Sequence, residues 1–282
     1  MKAIILNLLA WVFLPFMDGI AKYLSADMPV LQITWARYFF TVAFTLPIMF
    51  FFFNKQLTWS EKPKLQIIRG IILLCANIWF FYSISVISLA KALTLAFIAP
   101  LIVTALSPVI LSERVGVRRW TAVIVGFIGT LVVIRPGFVE LNLASFAALG
   151  TGVMYGFYLL ITRKLSTSDN PLLTLLLTGL TGVIIISFAI PFVWVQPTLN
   201  QWYLMGSIGV FAIIGHLFLI LSLKYADASK LAPFSYFEII TNILIGYYFF
   251  SNFPDSWTFL GLFIIVCSGI YISRRETRIS SN

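Results

Sequence analysis

The sequence predicts an all-α integral membrane protein with ten transmembrane helices, arranged as two inverted five-helix repeats. Three observations predict it: an apolar composition, apolar segments of membrane-spanning length, and a weak similarity between the two halves. Of the 282 residues, 60% are hydrophobic and only 10% are charged, and the mean hydropathy is +0.99. This leaves too little polar surface to cover a water-soluble globule. We therefore expect lipid to surround the chain.

The apolar segments favour helices over a transmembrane β-barrel. A helix needs about 20 residues to cross a hydrocarbon core roughly 30 Å thick, so ten spans fit this chain only if its loops are short. Strands of a barrel alternate apolar and polar side chains, whereas residues 184–195 form a nearly unbroken apolar run. Cutting the chain at its polar clusters places the spans near residues 3–23, 31–53, 67–89, 92–111, 119–135, 143–162, 172–194, 202–223, 230–250 and 257–273.

The positions of the basic residues predict that both termini lie in the cytoplasm. With the N-terminus inside, the expected cytoplasmic segments hold all 19 basic residues except Lys22, Arg37, Lys91 and Arg135, and Arg69 is counted among the cytoplasmic ones. Cytoplasmic loops of membrane proteins carry an excess of Lys and Arg. The net charge of +9 is thus explained by membrane topology, and no nucleic-acid partner is expected.

A weak internal repeat relates the two halves at an offset of about 139 to 142 residues. The segment Lys22-Tyr-Leu-Ser25 is echoed by Lys164-Leu-Ser166, and Lys91-Ala-Leu is echoed by Lys230-Leu-Ala. Chance similarity between apolar segments is the alternative explanation. Five spans in each half, an odd number, would make the second half enter the membrane from the opposite side, giving an inverted repeat. The expected repeats are residues 1–138, with spans one to five, and residues 139–282, with spans six to ten.

Several motifs resemble the EamA repeat of the drug/metabolite transporter superfamily. The motifs in the first half are Asp18-Gly-Ile-Ala-Lys22, Arg37-Tyr-Phe-Phe40, Glu113-Arg-Val, Arg119-Trp, Gly126-Phe-Ile-Gly129 and Arg135-Pro-Gly. In the second half, the run from Ala232 to Glu238 and the segment Phe253-Pro-Asp255 are similar to the subgroup that contains S-adenosylmethionine and riboflavin uptake carriers. The resemblance covers almost the whole chain.

The resemblance implies a secondary transporter of the inner membrane that works by alternating access. It also implies a central cavity lined mainly by helices one, three, four, six, eight and nine. The preferred cargo is a ring-containing, cofactor-like compound of the S-adenosylmethionine or riboflavin type, taken up into the cell. Export of amino acids or drug-like compounds is the alternative.

An integral membrane enzyme is a more remote alternative. One histidine and scattered acidic residues do not supply the clustered groups that metal or acid–base chemistry requires. The sequence also contains no glycine-rich P-loop of the Walker type, which argues against ATP-driven transport. We expect no cofactor and no metal. The expected partners are a small-molecule substrate and the lipid bilayer, and a homodimer is left open.

Charged side chains inside spans are candidate functional residues, because each costs about 2.5 to 3.5 kcal/mol to insert. Glu238 is expected near the middle of span nine, beside Tyr236, where it would hold a cationic cargo group or carry a proton. Asp18 and Arg37 are expected in the outer parts of spans one and two, where they would form an ion pair. Lys22 would compete for Asp18, since residues four apart share a helix face. The alternatives are structural, with each group only joining helices.

Polar and aromatic side chains complete the expected site. His216, the one histidine of the chain, matches Asn77 at the repeat offset. A lone histidine inside a helix is more often a hydrogen-bonded packing residue than a proton relay. The wall expected to stack on a planar cargo consists of Trp79, Tyr82, Tyr155, Tyr158 and Tyr236.

Overall fold

The computed structural model describes residues 1–52, 60–87, 89–134, 142–250 and 256–279, and within these residues the chain is helical with no β-strand. Two 3-10 segments, Ile190–Phe192 and Ala232–Phe237, accompany the α-helices. In these described ranges the α-helices are α1 (Lys2–Leu24), α2 (Val30–Phe52), α3 (Pro63–Val86), α4 (Leu89–Ala96), α5 (Ala99–Leu111), α6 (Val117–Ile134), α7 (Leu143–Ser166), α8 (Pro171–Ser187), α9 (Leu199–Tyr225), α10 (Ala228–Leu231), α11 (Glu238–Phe250) and α12 (Ser256–Ile279).

The twelve α-helices of the described ranges fall on the ten predicted spans in chain order, with two helices in each of the fourth and ninth spans. Within the described residues, α1, α2, α3, α7 and α9 are each long and apolar enough to cross a membrane by length and composition. The fourth span consists of α4 and α5, and the ninth of α10, the second 3-10 segment and α11. The predicted fold class of ten transmembrane helices in two inverted repeats is confirmed. The repeat boundary at residues 138 and 139 lies outside the described residues and stays a prediction.

Two predicted span limits differ from the structure by more than four residues. Span seven was expected to continue to residue 194, but α8 ends at Ser187 and a 3-10 turn follows it. Pro191 explains the early end, because proline lacks the N–H that a continuing helix would need. Span ten was expected to end at residue 273, whereas α12 continues to Ile279.

The fourth span of each half is interrupted, in both cases at a proline that predicts a local distortion of the helix. In the first half, α4 ends at Ala96 and α5 starts at Ala99, with Pro100 in its first turn. In the second half, the segment Ala232–Phe237 separates α10 from α11, with Pro233 in its first turn. Broken helices leave backbone groups without helical partners, and inside a membrane this is tolerated where the backbone lines a cavity.

The two halves pack in the same way. Helix α1 packs along α9, and its counterpart α7 packs along α3. Helix α2 packs on α9 as α8 packs on α3, and α5 packs on α7 as α11 packs on α1. The two last helices of the halves, α6 and α12, pack on each other. Each of these contacts between a helix of the first half and a helix of the second half thus has an equivalent with the halves interchanged. A pseudo-two-fold axis between two similar halves produces this pattern.

We predict that Gly182→Ala destabilises the contact between α2 and α8. A Cβ atom at Gly182 would overlap the ring of Tyr38, which is 1% exposed and has no room to move. Overpacking of this kind costs about 1 to 3 kcal/mol, so the melting temperature in detergent should fall by several degrees. Gly206→Ala is the control, because the nearest atom to its added Cβ lies 3.9 Å away. Equal melting temperatures for the two variants would contradict the tight packing.

Candidate functional site

A central cavity lies between the two halves. It contains about 700 Å³ of empty space including its open part, of which about 80 Å³ can hold the centre of a water molecule. The lining comes from spans one, three, four, six, eight and nine, which confirms the expected set of helices. The cavity must widen to admit a metabolite. It is lined by Trp11, Leu14, Met17, Asp18, Ala76, Asn77, Phe80, Leu93, Ala96, Phe97, Ala99, Pro100, Thr151, Tyr155, Leu159, His216, Ser235 and Glu238.

Two carboxyl groups line this cavity. Asp18 of α1 is 5% exposed and Glu238 is 8% exposed. Within the described residues, neither side chain forms an ion pair or a hydrogen bond. Glu238 is the first residue of α11, where the positive end of the helix dipole favours a negative charge. Since unpaired buried carboxylates are costly, this arrangement suits a cationic group or a proton supplied by a ligand or by water.

The expected ion pair between Asp18 and Arg37 is not formed. Arg37 instead directs its Nε to Met17 Sδ at 3.2 Å and its Nη2 to His216 Nε2 at 3.2 Å. Its guanidinium carbon lies 4.7 Å from the ring centroid of Tyr38. The prediction was wrong although Arg37 reaches α1, because its guanidinium contacts Met17 beside Asp18 and directs Nη2 to His216 of α9.

Lys22 is not the partner of Asp18 either. Its Nζ donates to the carbonyl oxygen of Ile84 and, at 3.3 Å, to that of Ile87. These carbonyls end α3, where backbone oxygens lack helical partners and the helix dipole attracts a positive charge. Lys22 therefore joins the ends of α1 and α3.

His216 is held as a neutral imidazole between α9 and α2. Its Nδ1 lies 3.0 Å from the carbonyl oxygen of Ala212. Arginine N–H groups only donate, so Nε2 must accept from Arg37, and the ring proton is assigned to Nδ1. The geometry matches a hydrogen-bonded packing residue that also forms one wall of the cavity.

The predicted aromatic residues separate into two groups. Tyr155 lines the cavity and meets Trp11 edge to face with ring centroids 6.3 Å apart. Tyr158 and Tyr236 are buried behind the lining, and the Tyr236 hydroxyl has no hydrogen-bond partner within the described residues. Trp79 does not face the cavity, since it is 40% exposed.

The remaining assignments of α3 follow from helix geometry. Asn77 and Phe80, three residues apart, share the face that lines the cavity, while Trp79 and Tyr82 point elsewhere. Asn77 Nδ2 donates to the Tyr38 hydroxyl at 2.9 Å. Sequence reasoning missed Trp11, Phe80 and Phe97 as lining residues, because single aromatics within apolar runs give no distinguishing signal.

The predicted location of the Arg69 side chain is also corrected. It was counted with the cytoplasmic charges, but its side chain is 0% exposed in the second turn of α3. Its position within the predicted span at residues 67–89 was the signal that could have revealed it.

Ion pairs join the halves at one end of the bundle, which we call the N-terminal end because Lys2 contacts the end of α9 there. The Glu113 carboxylate accepts two hydrogen bonds from Ser229, one from the backbone N–H at 3.0 Å and one from the side-chain hydroxyl at 2.7 Å. Arg163 bridges Glu113 at 3.4 Å and Asp227 at 3.1 Å, and Arg119 lies 3.6 Å from Asp227. A network of this kind is worth more than isolated surface pairs. It joins the two halves at this end of the bundle.

A smaller cavity, here called the N-terminal cavity, lies between the central cavity and this network. Trp11, Pro100 and Ser235 line both cavities, and Val103 and Leu223 line only the smaller one. The two cavities and the network therefore follow one another toward the N-terminal end.

Two halves with interrupted spans around a buried acidic cavity are features of multi-pass membrane transporters. A profile described as the EamA-like transporter family matches residues 1–135 and 142–274. The chain belongs to this family, which confirms the resemblance seen in the sequence, and it is a transporter rather than an enzyme.

Curated relatives extend over nearly the whole chain. The S-adenosylmethionine uptake transporter of Rickettsia prowazekii (strain Madrid E) is 25% identical over 98% of this chain and 96% of its own. The riboflavin transporter of Vibrio cholerae (serotype O1, El Tor Inaba N16961) is 26% identical, covering 93% and 89%. The pseudopaline exporter CntI of Pseudomonas aeruginosa (strain UCBPP-PA14) is 27% identical, covering 98% and 97%. These relatives differ in cargo and in direction.

A solved crystal structure shares the fold. It superposes with a TM-score of 0.82, covers 99% of both chains and is 16% identical in sequence. At that identity, the likeness concerns the fold alone.

We predict that Arg163→Gln opens the N-terminal end. Val103→Cys, in a background with Cys75 and Cys267 replaced by serine, places a thiol in the N-terminal cavity. Loss of about 1 kcal/mol from the closed state raises an open population about five-fold. The rate of reaction with a bulky polar maleimide in detergent should rise by that factor.

Lys164→Gln provides the control for this experiment. Lys164 is the exposed neighbour of Arg163 and forms no ion pair among the described residues. It should leave the labelling rate unchanged. The same rate for Arg163→Gln and Lys164→Gln would show that the ion pairs do not hold this end closed.

Proposed function

We propose that this protein is a secondary transporter that takes up a positively charged, ring-containing metabolite of the S-adenosylmethionine type across the inner membrane. The observation that carries the proposal is the pair Asp18 and Glu238. Both carboxyl groups line one buried cavity, and neither forms an ion pair with a described side chain. A cationic cargo would supply that missing charge.

Electrostatics favour such a cargo. Attraction between a carboxylate and a cation is much stronger in a low-dielectric interior than in water. S-adenosylmethionine carries a sulfonium and an ammonium group as well as a planar adenine ring. Trp11, Phe80, Phe97 and Tyr155 line the same cavity, and aromatic faces attract cations and stack on planar rings. The relative from Rickettsia prowazekii is named for uptake of this compound.

We further propose that transport proceeds by alternating access with both termini in the cytoplasm. Exchanging the conformations of two inverted halves converts a cavity open on one side into a cavity open on the other. The N-terminal end is held closed by the bridge from Glu113 through Arg163 to Asp227. The excess of basic residues supports a cytoplasmic location for this end. Cargo release would then require the bridge to break.

The lipid bilayer is the proposed surrounding of the outer surface. Large apolar side chains such as Phe188, Phe192 and Phe263 are 78%, 86% and 67% exposed. Lipid acyl chains would cover this apolar surface, whose exposure to water would be unfavourable. A homodimer stays a prediction.

Riboflavin-type uptake is the second candidate. The aromatic lining would stack on a neutral planar ring, and the relative from Vibrio cholerae is named as a riboflavin transporter. A neutral cargo would leave Asp18 and Glu238 without a countercharge, which is why we rank it second. Export, as named for the pseudopaline relative, is the third candidate.

Flux in sealed vesicles tests the proposal. Purified protein in proteoliposomes should accumulate radiolabelled S-adenosylmethionine in a saturable manner, and the recovered compound should be chemically unchanged. Unlabelled riboflavin should compete weakly. Saturable riboflavin uptake without S-adenosylmethionine uptake would select the second candidate, and efflux from preloaded cells without uptake would select an exporter.

We predict that Glu238→Gln and Asp18→Asn each lower uptake at least tenfold without loss of expression. Each substitution keeps the shape of the side chain and removes its charge, so the cation loses an interaction of at least about 1.4 kcal/mol. Initial uptake rates over a range of pH measure the effect.

Matched controls distinguish loss of charge in the cavity from loss of charge at the surface. Glu61→Gln and Asp27→Asn remove charges of the same kind from exposed positions and should transport like the wild type. Wild-type uptake by Glu238→Gln at every pH would rule out a role for this carboxylate in binding or coupling.

A further inference from the structure

Two arginines are buried around a separate small cavity, here called the arginine cavity. It lies where α2, α3, α7, α8 and α9 meet, and Arg37, Tyr38, Arg69, Tyr158 and His216 are among its lining residues. It contains about 260 Å³ of empty space, of which about 10 Å³ can hold the centre of a water molecule. That is at the lower limit of the space that one water molecule needs, so the cavity must widen slightly to hold anything larger than water.

Arg69 is held entirely by neutral groups. Its Nε donates to Thr162 Oγ1 at 2.7 Å, and its Nη2 donates to the Tyr158 hydroxyl at 2.9 Å. Its Nη1 donates to the carbonyl oxygen of Thr174 at 3.3 Å and to Thr178 Oγ1. These oxygens solvate the guanidinium but carry no opposite charge. A wholly buried cation without an opposite charge is costly.

Arg37 is in a similar position on the other side of the cavity. It is 3% exposed, and its contacts are the Met17 sulfur, the neutral ring of His216 and the face of Tyr38. Asp18 attracts Arg37 electrostatically, but the two side chains are beyond ion-pair distance. Within the described ranges, no carboxylate forms an ion pair with Arg37 or Arg69. The arginine cavity thus has two positive charges and no paired negative charge.

The hydroxyl groups add to this surplus of donors. Tyr38 accepts an N–H from Asn77 at 2.9 Å, and Tyr158 accepts one from Arg69. A phenol has one O–H to donate, and within the described residues no acceptor takes the O–H of either tyrosine. The cavity thus presents guanidinium N–H and phenol O–H donors that have no acceptor in the described part of the chain. A group that only accepts hydrogen bonds, namely an anion, would satisfy them.

We propose that the arginine cavity binds one small monovalent anionic group between Arg37 and Arg69. The group is a free halide such as chloride or the carboxylate of the cargo. The second source is within reach because His216 lines both this cavity and the central cavity. Only the second source depends on the proposed function, and the halide can be tested without any cargo.

The first experiment measures thermal unfolding of the purified protein without cargo. Sodium chloride and sodium gluconate are compared at equal ionic strength. A ligand that binds only the folded state raises the melting temperature with its concentration, and we expect about 3 °C more in saturating chloride. Bromide should act like chloride and compete with it.

Variants assign the effect to the site. Arg37→Gln should abolish the difference between chloride and gluconate, and so should Arg69→Gln. If Arg69→Gln does not fold, Arg37→Gln decides the question. Lys64→Gln is the control, because Lys64 is an exposed basic residue of the same helix as Arg69. It should retain the full difference.

The second experiment compares S-adenosylmethionine with its decarboxylated form in chloride-free buffer. If the cargo supplies the anion, the intact compound should stabilise the wild type more, and Arg37→Gln should remove that advantage. Binding of both compounds without chloride stabilisation or a carboxylate advantage would overturn the anion site while sparing the proposed cargo. Stabilisation by chloride without binding of either compound would support the anion site and overturn the proposed cargo. No stabilisation by chloride or by the carboxylate overturns the anion site and leaves a cavity that holds water.

Discussion

The absence of water in the bilayer interior is the constraint on which the rest of this structure depends. Every backbone amide there must be satisfied within the protein, and every ionised side chain must face a cavity or a partner. Apolar residues therefore form the outer surface, while Asp18 and Glu238 face the central cavity, and Arg37 and Arg69 face the arginine cavity. The two helix interruptions occur beside the central cavity, where irregular backbone is tolerated.

The two neighbouring cavities have opposite electrostatic character, and His216 separates them. Its ring accepts from Arg37 on one side and borders the acidic central cavity on the other. Because both ring nitrogens are occupied by fixed partners, the ring stays neutral and does not cancel either charge. Adjacent positive and negative sites suit a cargo that carries charges of both signs, as amino-acid derivatives do. They suit a neutral ring less well.

The sequence was sufficient for the spans because each apolar run of about 20 residues is bounded by polar clusters, a property of single segments. It also placed Glu238, Asp18, Asn77, His216 and Tyr155 at the cavity, although their roles stay predictions. It could not say which helices are neighbours. Arg37 was therefore paired with Asp18, although it contacts the neighbouring Met17 and His216 of α9. Arg69 was counted with the cytoplasmic charges, although hydroxyl groups of α7 and α8 bury it. Contacts between helices depend on the whole bundle rather than on local pattern.

The interruptions of the two fourth spans touch each other. The rings of Phe97 and Tyr236 meet edge to face with centroids 5.6 Å apart, and the Tyr236 ring is pressed against Gly126 of α6. A bend in one broken span must displace the other, since there is no free space between the two rings and that helix. Under the proposed alternating access, this contact would couple the two halves and disfavour simultaneous opening toward both compartments. This coupling would prevent a leak of ions that would dissipate the gradient on which a secondary transporter depends.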